Sequence, residues 1–241
     1  MSTRNITFRA TLRNAVLDCL DQTSDPLVEF CAKAIKDWIG PDLAQSDQFA
    51  KLIQLASHTD RRIQTEVLFT LKQMVSNGKH HDALVRDGIV PAIQSLSSDN
   101  SHEVIGFVAL ALRSLAMTML RRGHTADILR FFTSDVVQLR EGSYIAVETI
   151  ANGSERDRKV LLDEDIIERV TREYDEMSLA TLKLAENVIK KLTSDYIRAG
   201  KIHILIPLIK WVSPRNCVTI LTGRLATNRN ASVWQRRSPL S

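Results

Sequence analysis

The sequence predicts an all-α fold: a right-handed α–α superhelix of about five stacked helical repeats plus a partial C-terminal one. Three observations carry that expectation. The composition suits helices, a pair of short helices recurs around a tight corner, and a longer apolar helix recurs at an interval of about forty residues.

Of 241 residues, 44% are hydrophobic and only 5% aromatic, with 9 Gly and 6 Pro. Such a chain can bury a sizeable core. It favours helices filled with Leu, Ile, Val and Ala over a strand-rich sandwich.

The short pair shows in three segments that align without gaps: residues 83–93 (ALVRDGIVPAI), 160–170 (VLLDEDIIERV) and 195–205 (DYIRAGKIHIL). Apolar residues coincide at Leu84, Leu161 and Tyr196, and again at Val90, Ile167 and Ile202. They coincide a third time at Ile93, Val170 and Leu205. Two short helices joined at a corner give this pattern. Gly88 and Gly200 stand at the corner, where a positive φ costs a glycine little. Asp165 takes the same place in the middle segment, a tolerable second choice.

Longer apolar stretches begin at Leu27, Ile63, Val104, Gly142 and Thr181. Their matched core positions are Ile35, Leu71, Leu112, Ile150 and Ile189, spaced by 36, 41, 38 and 39 residues. Asp25-Pro26, Asp60, Asp99-Asn100-Ser101 and Ser178 precede these stretches as N-caps and turns. Asn77-Gly78 and Asn152-Gly153 follow them as expected C-caps.

Residues 84–116, LVRDGIVPAIQSLSSDNSHEVIGFVALALRSLA, resemble an armadillo repeat over its full length, and the other units resemble it more loosely. The resemblance is to the armadillo/HEAT superfamily and covers residues 5–212. It implies three helices per unit, with the longest lining a concave face. The domain reading is a repeat domain over 1–212 and a basic, partly disordered tail over 213–241. An irregular final repeat either leaves apolar surface for a partner or a second copy of the chain, or is covered by the tail folding back.

Charge divides the same way. The net charge is +4, but residues 201–241 hold seven Lys or Arg and no acid. Removing those seven from 32 leaves 25 basic against 28 acidic residues in 1–200, a mildly acidic body. That argues against a DNA-binding body. RNA or nuclear-transport-related binding through the tail, with Trp234 beside Arg236-Arg237, is the weaker alternative.

Cys19, Cys31 and Cys217 show no CxxC spacing and read as buried thiols in a reducing compartment. No membrane span is expected, nor a secretory signal. Arg4, Arg9 and Arg13 with no acid before Asp18 fit a mitochondrial presequence. Leu12, Val16 and Leu20 at i, i+4, i+8 fit a first helix better. The expected location is cytoplasmic, with a nuclear one as alternative.

Catalytic patterns are missing: no GxSxG, no GxxxxGK[ST], no GxGxxG and no HExxH. The densest cluster, His80-His81-Asp82, reads as a solvated helix start. No enzyme, metal or cofactor is expected.

Peptide-binding members of the superfamily carry a ladder of Asn on the long helices. The matching positions are Asp37, Gln73, Ser114, Asn152 and Lys191, so only Asn152 keeps the family residue. The Trp of nuclear-signal binders falls on Lys33, Phe69, Leu110, Glu148 and Asn187 and is lost. One position before the Asn ladder stand Lys36, Lys72, Arg113, Ala151 and Lys190. This column is either an ordinary solvated face or a strip for an acidic, extended protein segment. The expected function is a scaffold or adaptor that binds such a segment through Lys36, Lys72, Gln73, Arg113, Asn152 and Lys190.

Overall fold

The computed structural model describes residues 11, 14–16, 25–46, 49–173 and 177–206. Among them every regular element is helical and no strand occurs. The expected tail, and Leu12, Cys19, Leu20 and Cys217, lie outside the described residues. The chain divides into two compact units, Met1–Ala146 and Val147–Ser241.

Unit 1 begins with α1 (Asp25–Ala34), which runs through a π turn (Ile35–Ile39) into α2 (Gly40–Ser46). Pro41 explains the interruption, because it has no N–H for the carbonyl of Asp37 and its ring crowds that carbonyl. The Gly40 N–H reaches back five residues to the carbonyl of Ile35 instead. Gly40 also permits a close approach: a Cβ there would overlap Thr70 Cγ2 on the neighbouring helix. Val28, Cys31, Ala32, Ile35, Ile39 and Leu43 are buried along this composite helix.

There follow α3 (Ala50–Leu55), α4 (Arg61–Val75), a 3-10 turn (Gly78–His80), α5 (His81–Arg86), α6 (Ile89–Leu96), α7 (His102–Arg121) and α8 (Thr125–Leu129). The boundary between units falls inside α9 (Val137–Ala151). In unit 1 the long helices α1, α4 and α7 pack in series, and α3 packs on α6. Ile35, Leu71 and Leu112 are all fully buried, as the repeat predicts. Each such side chain stabilises the stack by roughly 2 kcal/mol relative to exposure.

Polar ties recur at the same sequence interval. The Phe49 N–H donates to Asp87 Oδ2 at 2.8 Å, and Arg61 reaches Asp99 at 2.8 Å, each across 38 residues. Burial works against the charge of Asp87, but the Arg86 bond and the Phe49 N–H outweigh it and hold the carboxyl below its ordinary value. Asp99 is lowered chiefly by its bond from Arg61. Asp60 caps α4 by accepting from the Arg62 N–H at 2.9 Å, and the Arg62 side chain drives its pKa down to about 2.

Unit 2 holds the end of α9, then α10 (Glu155–Asp163), α11 (Ile166–Glu173), α12 (Leu179–Arg198) and α13 (Ile202–Leu205). Here α10 and α11 each pack on α12, and Ile150 and Ile189 are buried. Ser154 opens α10 with a reciprocal capping box to Asp157, and Ser178 caps α12 through the Thr181 N–H at 3.2 Å. The three corner residues have positive φ, as their alignment requires: Gly88 at 99°, Asp165 at 49° and Gly200 at 73°.

Several expectations change. Asn77 does not close α4; its side chain accepts from the Lys79 N–H and starts the 3-10 turn. His80 is buried with its ring edge-on to Phe49, and His81 Nε2 lies 2.7 Å from the Val75 carbonyl. That pair packs over the α4 terminus where solvent was expected. The middle helix is missing between α8 and α9, where the chain makes only turns. Phe131 and Phe132 plug the space, the latter stacked on Tyr144 at 4.2 Å. Residues 195–198 continue α12 and form no separate short helix. Finally, α7 is long and apolar enough by composition to cross a membrane, which the sequence reading did not anticipate. Its apolar face is taken up by α4, α5 and α6, with Phe107, Val108, Ala111, Leu115 and Met119 fully buried.

Candidate functional site

Lys36 sits on the π turn directly after buried Ile35. Its Nζ lies 3.5 Å from Glu66 Oε2 and 5.2 Å from the centroid of the Phe69 ring, both on α4. About half of its side chain remains in solvent. At that exposure the pair with Glu66 contributes no more than about 1 kcal/mol, so Lys36 is held but can be recruited elsewhere.

Lys72 and Gln73 follow buried Leu71 on α4, Lys72 half-buried and Gln73 exposed. Arg113 follows buried Leu112 on α7 and is exposed. Neither Lys72 nor Arg113 makes an ion pair with any described residue. Each cation thus stands one residue after the core position of its helix, and α1, α4 and α7 pack in series. Packed helices stand about 8–10 Å apart, so the three charges form a row.

In unit 2, Asn152 lies just past the end of α9 and is exposed. It ends the helix without a left-handed turn; its N–H bonds the Glu148 carbonyl at 3.0 Å. Ala151, the member of the column that breaks the basic pattern, is buried. Lys190 is exposed on α12 after Ile189, and Lys191 beside it is exposed too. Neither is ion-paired to a described residue.

Sequence reasoning missed Glu66 and the exposure of Phe69. Two hints were present: the i, i+3 relation of Phe69 to both Glu66 and Lys72, and its place in the column where nuclear-signal binders carry Trp. It also missed the ionic ties of unit 2. Asp195 is buried and accepts from Arg158 Nε at 2.7 Å and from Arg198 at 2.6 Å. Lys201 Nζ reaches Asp165 Oδ1 at 2.7 Å and the Leu162 carbonyl at 3.2 Å. A notch of about 350 Å³ at this corner is lined by Asp163, Glu164, Asp165, Glu168, Arg169 and Arg172. Its charges are largely satisfied within the chain: Arg169 pairs with Glu164, Arg172 with Glu168 and Lys201 with Asp165. Among the described residues no group of three His, Cys, Asp or Glu could hold a metal ion.

Solved structures share this arrangement of helices. A designed armadillo repeat protein in complex with the peptide (KR)4 superposes with a TM-score of 0.59 at 14% identity, over 89% of this chain and 98% of that one. The fold is that of armadillo repeats. Computationally designed armadillo repeat proteins for modular peptide recognition match with a TM-score of 0.59 at 13% identity, over 88% and 98% of the two chains. An engineered protein matches with a TM-score of 0.58 at 16% identity, over 89% and 96%. No protein-family model and no curated protein matches the sequence, so the likeness to armadillo repeats is one of fold.

Proposed function

We propose that this armadillo-type chain is a protein-binding scaffold, and that unit 1 holds an extended acidic segment of a partner along Lys36, Lys72 and Arg113, with Gln73 beside them. The observation that carries the reading is that Lys72 and Arg113 have no acidic partner among the described residues while standing in the same place on two adjacent helices. Unpaired cations in a row raise the local concentration of an anionic ligand and favour carboxylates or phosphates on a flexible chain. Asn152 and Lys190, both exposed, are the corresponding proposed contacts of unit 2 taken by itself. The armadillo fold supports peptide binding in general: one of the similar designed proteins is complexed with the basic peptide (KR)4. The cationic strip argues for the opposite charge in this chain's partner.

The test is the double charge reversal Lys72→Glu with Arg113→Glu. Both side chains lie on helix surfaces, so far-ultraviolet circular dichroism stays unchanged. Binding of a fluorescent acidic peptide, followed by anisotropy, falls by about tenfold or more and weakens with added salt. A doubly reversed protein that binds the peptide as well as the original rules out this surface.

A further inference from the structure

Phe69 is 45% exposed on α4. Of the other described phenylalanines, Phe49, Phe107, Phe131 and Phe132 are buried and Phe30 of α1 is 56% exposed; Phe69 differs from Phe30 in carrying a lysine over its ring. Large aromatic side chains belong inside or at contacts, because water gains nothing from them. One face of the ring carries Lys36 Nζ, and that lysine is shared with Glu66. Lys72 lies one turn further along the helix at i+3 and Gln73 at i+4, so both share the surface of Phe69.

The same pairing recurs on the next long helix. Leu110 of α7 occupies the position that Phe69 has in α4 and is partly exposed, and Arg113 follows it at i+3. Two packed helices therefore each present an apolar side chain one turn before an unpaired cation. A purely acidic ligand would use the cations and leave the apolar partners wet. A ligand with an apolar residue beside each acid would cover both. Covering the ring would also lower the local dielectric and strengthen the neighbouring ion pairs.

We infer that the acidic segment of the partner carries apolar side chains next to its acids, and that one of them seats on Phe69 as the anchor of the site. This rests on the acidic-segment reading above and adds the requirement for an apolar neighbour. Phe69 is then the specificity-determining residue, and Lys72 and Arg113 supply attraction.

Two labelled peptides of equal length and equal charge separate the two ideas, one alternating Glu with Ser and one alternating Glu with Leu. Anisotropy titrations use the full chain, as wild type, Phe69→Ala and the Lys72→Glu/Arg113→Glu double variant. The Glu–Leu peptide binds wild type about tenfold more tightly than Glu–Ser, the ratio expected for one apolar side chain leaving water. Phe69→Ala removes that preference by bringing Glu–Leu binding down to the level of Glu–Ser, while Phe69→Leu restores most of it. The double reversal weakens both peptides. Equal binding of the two peptides to wild type, or a preference that survives Phe69→Ala, overturns the anchor while acidic binding stands. Failure of both peptides to bind wild type overturns both ideas.

Discussion

Both units pack on apolar cores, but unit 2 adds a buried carboxylate that takes two arginines, whereas unit 1 leaves Lys72 and Arg113 without an ion pair to any described residue. In unit 2 a single carboxylate, Asp195, is 6% exposed and takes two arginines, while Lys201 ties the end of α12 to the corner at Asp165. In unit 1, Ile63, Leu68, Leu71, Leu84, Phe107 and Leu112 make the joint, and Lys72 and Arg113 have no described ion-pair partner. A cation enclosed by packing, as Arg158 is, is less available to a partner than one at the surface. The difference teaches that charge for recognition comes from surface positions: Lys72 and Arg113 in unit 1, Lys190 and Lys191 in unit 2.

The largest expected effects test that contrast directly. Leu112→Ala in unit 1 opens a cavity at a fully buried site and costs about 3–4 kcal/mol. Asp195→Ala in unit 2 leaves Arg158 and Arg198 facing each other without their carboxylate and costs about 3 kcal/mol. Urea unfolding followed by circular dichroism measures both. An Asp195→Ala loss below about 1 kcal/mol would mean that the buried charge contributes little to unit 2.

Gly40→Ala comes next, at about 2 kcal/mol, because its new methyl group overlaps Thr70 Cγ2. Thr70→Ser removes that methyl and keeps a hydroxyl for the Glu66 carbonyl, which Thr70 Oγ1 now reaches at 2.8 Å. A double-mutant cycle should recover most of the loss. Additive penalties would place the strain elsewhere.

The units should also differ in pH response. Asp60, Asp87 and Asp99 of unit 1 are held below 3.8 in the folded state, Asp60 at about 2. Their stabilisation is complete above the unfolded value and is lost as pH falls toward the folded ones, so unit 1 weakens below roughly pH 4. Tyr196 of unit 2 is pushed up by burial from 10.0 to about 12. Its contribution is complete below pH 10 and disappears as pH rises toward 12. Thermal melts across pH should show a shallower acid slope for Asp87→Asn with Asp99→Asn, and a shallower alkaline slope for Tyr196→Phe.

The smallest effect is a gain. Gly106 lies inside α7, and a Cβ there meets nothing within 4 Å. Gly106→Ala should raise stability by about 0.5–1 kcal/mol in the same urea titration.

Much of this architecture was legible because its rules are local. The corner at Gly88, Asp165 and Gly200 was readable from alignment, since a left-handed residue leaves a Gly or Asp behind. Asp60 and Ser178 were readable as caps, and Ile35, Leu71, Leu112, Ile150 and Ile189 as core, from spacing alone. What escaped depended on other parts of the chain. Burial of His80 requires Phe49, and the two arginines of Asp195 come from another helix and another turn. The absent helix before α9 leaves no punctuation of its own. Of the candidate site, the cations were visible as a column, but whether each is already paired depends on which acids the fold brings beside it. The exposure of Phe69 was only half visible: its column is the Trp column of nuclear-signal binders, but an apolar residue on a helix is ordinarily assigned to the core.

The π turn at Ile35–Ile39 has a consequence for tolerance to deletion. A π turn spends one residue more per hydrogen bond than an α turn. The surplus residue is taken up inside the turn, so Val28, Cys31 and Ala32 before it and Leu43 after it are all buried. Excising one residue there would not give a continuous α-helix, because Pro41 would still offer no N–H and would press its ring on the carbonyl four residues back. A one-residue deletion would therefore remove the slack that accommodates the proline and leave the break in place.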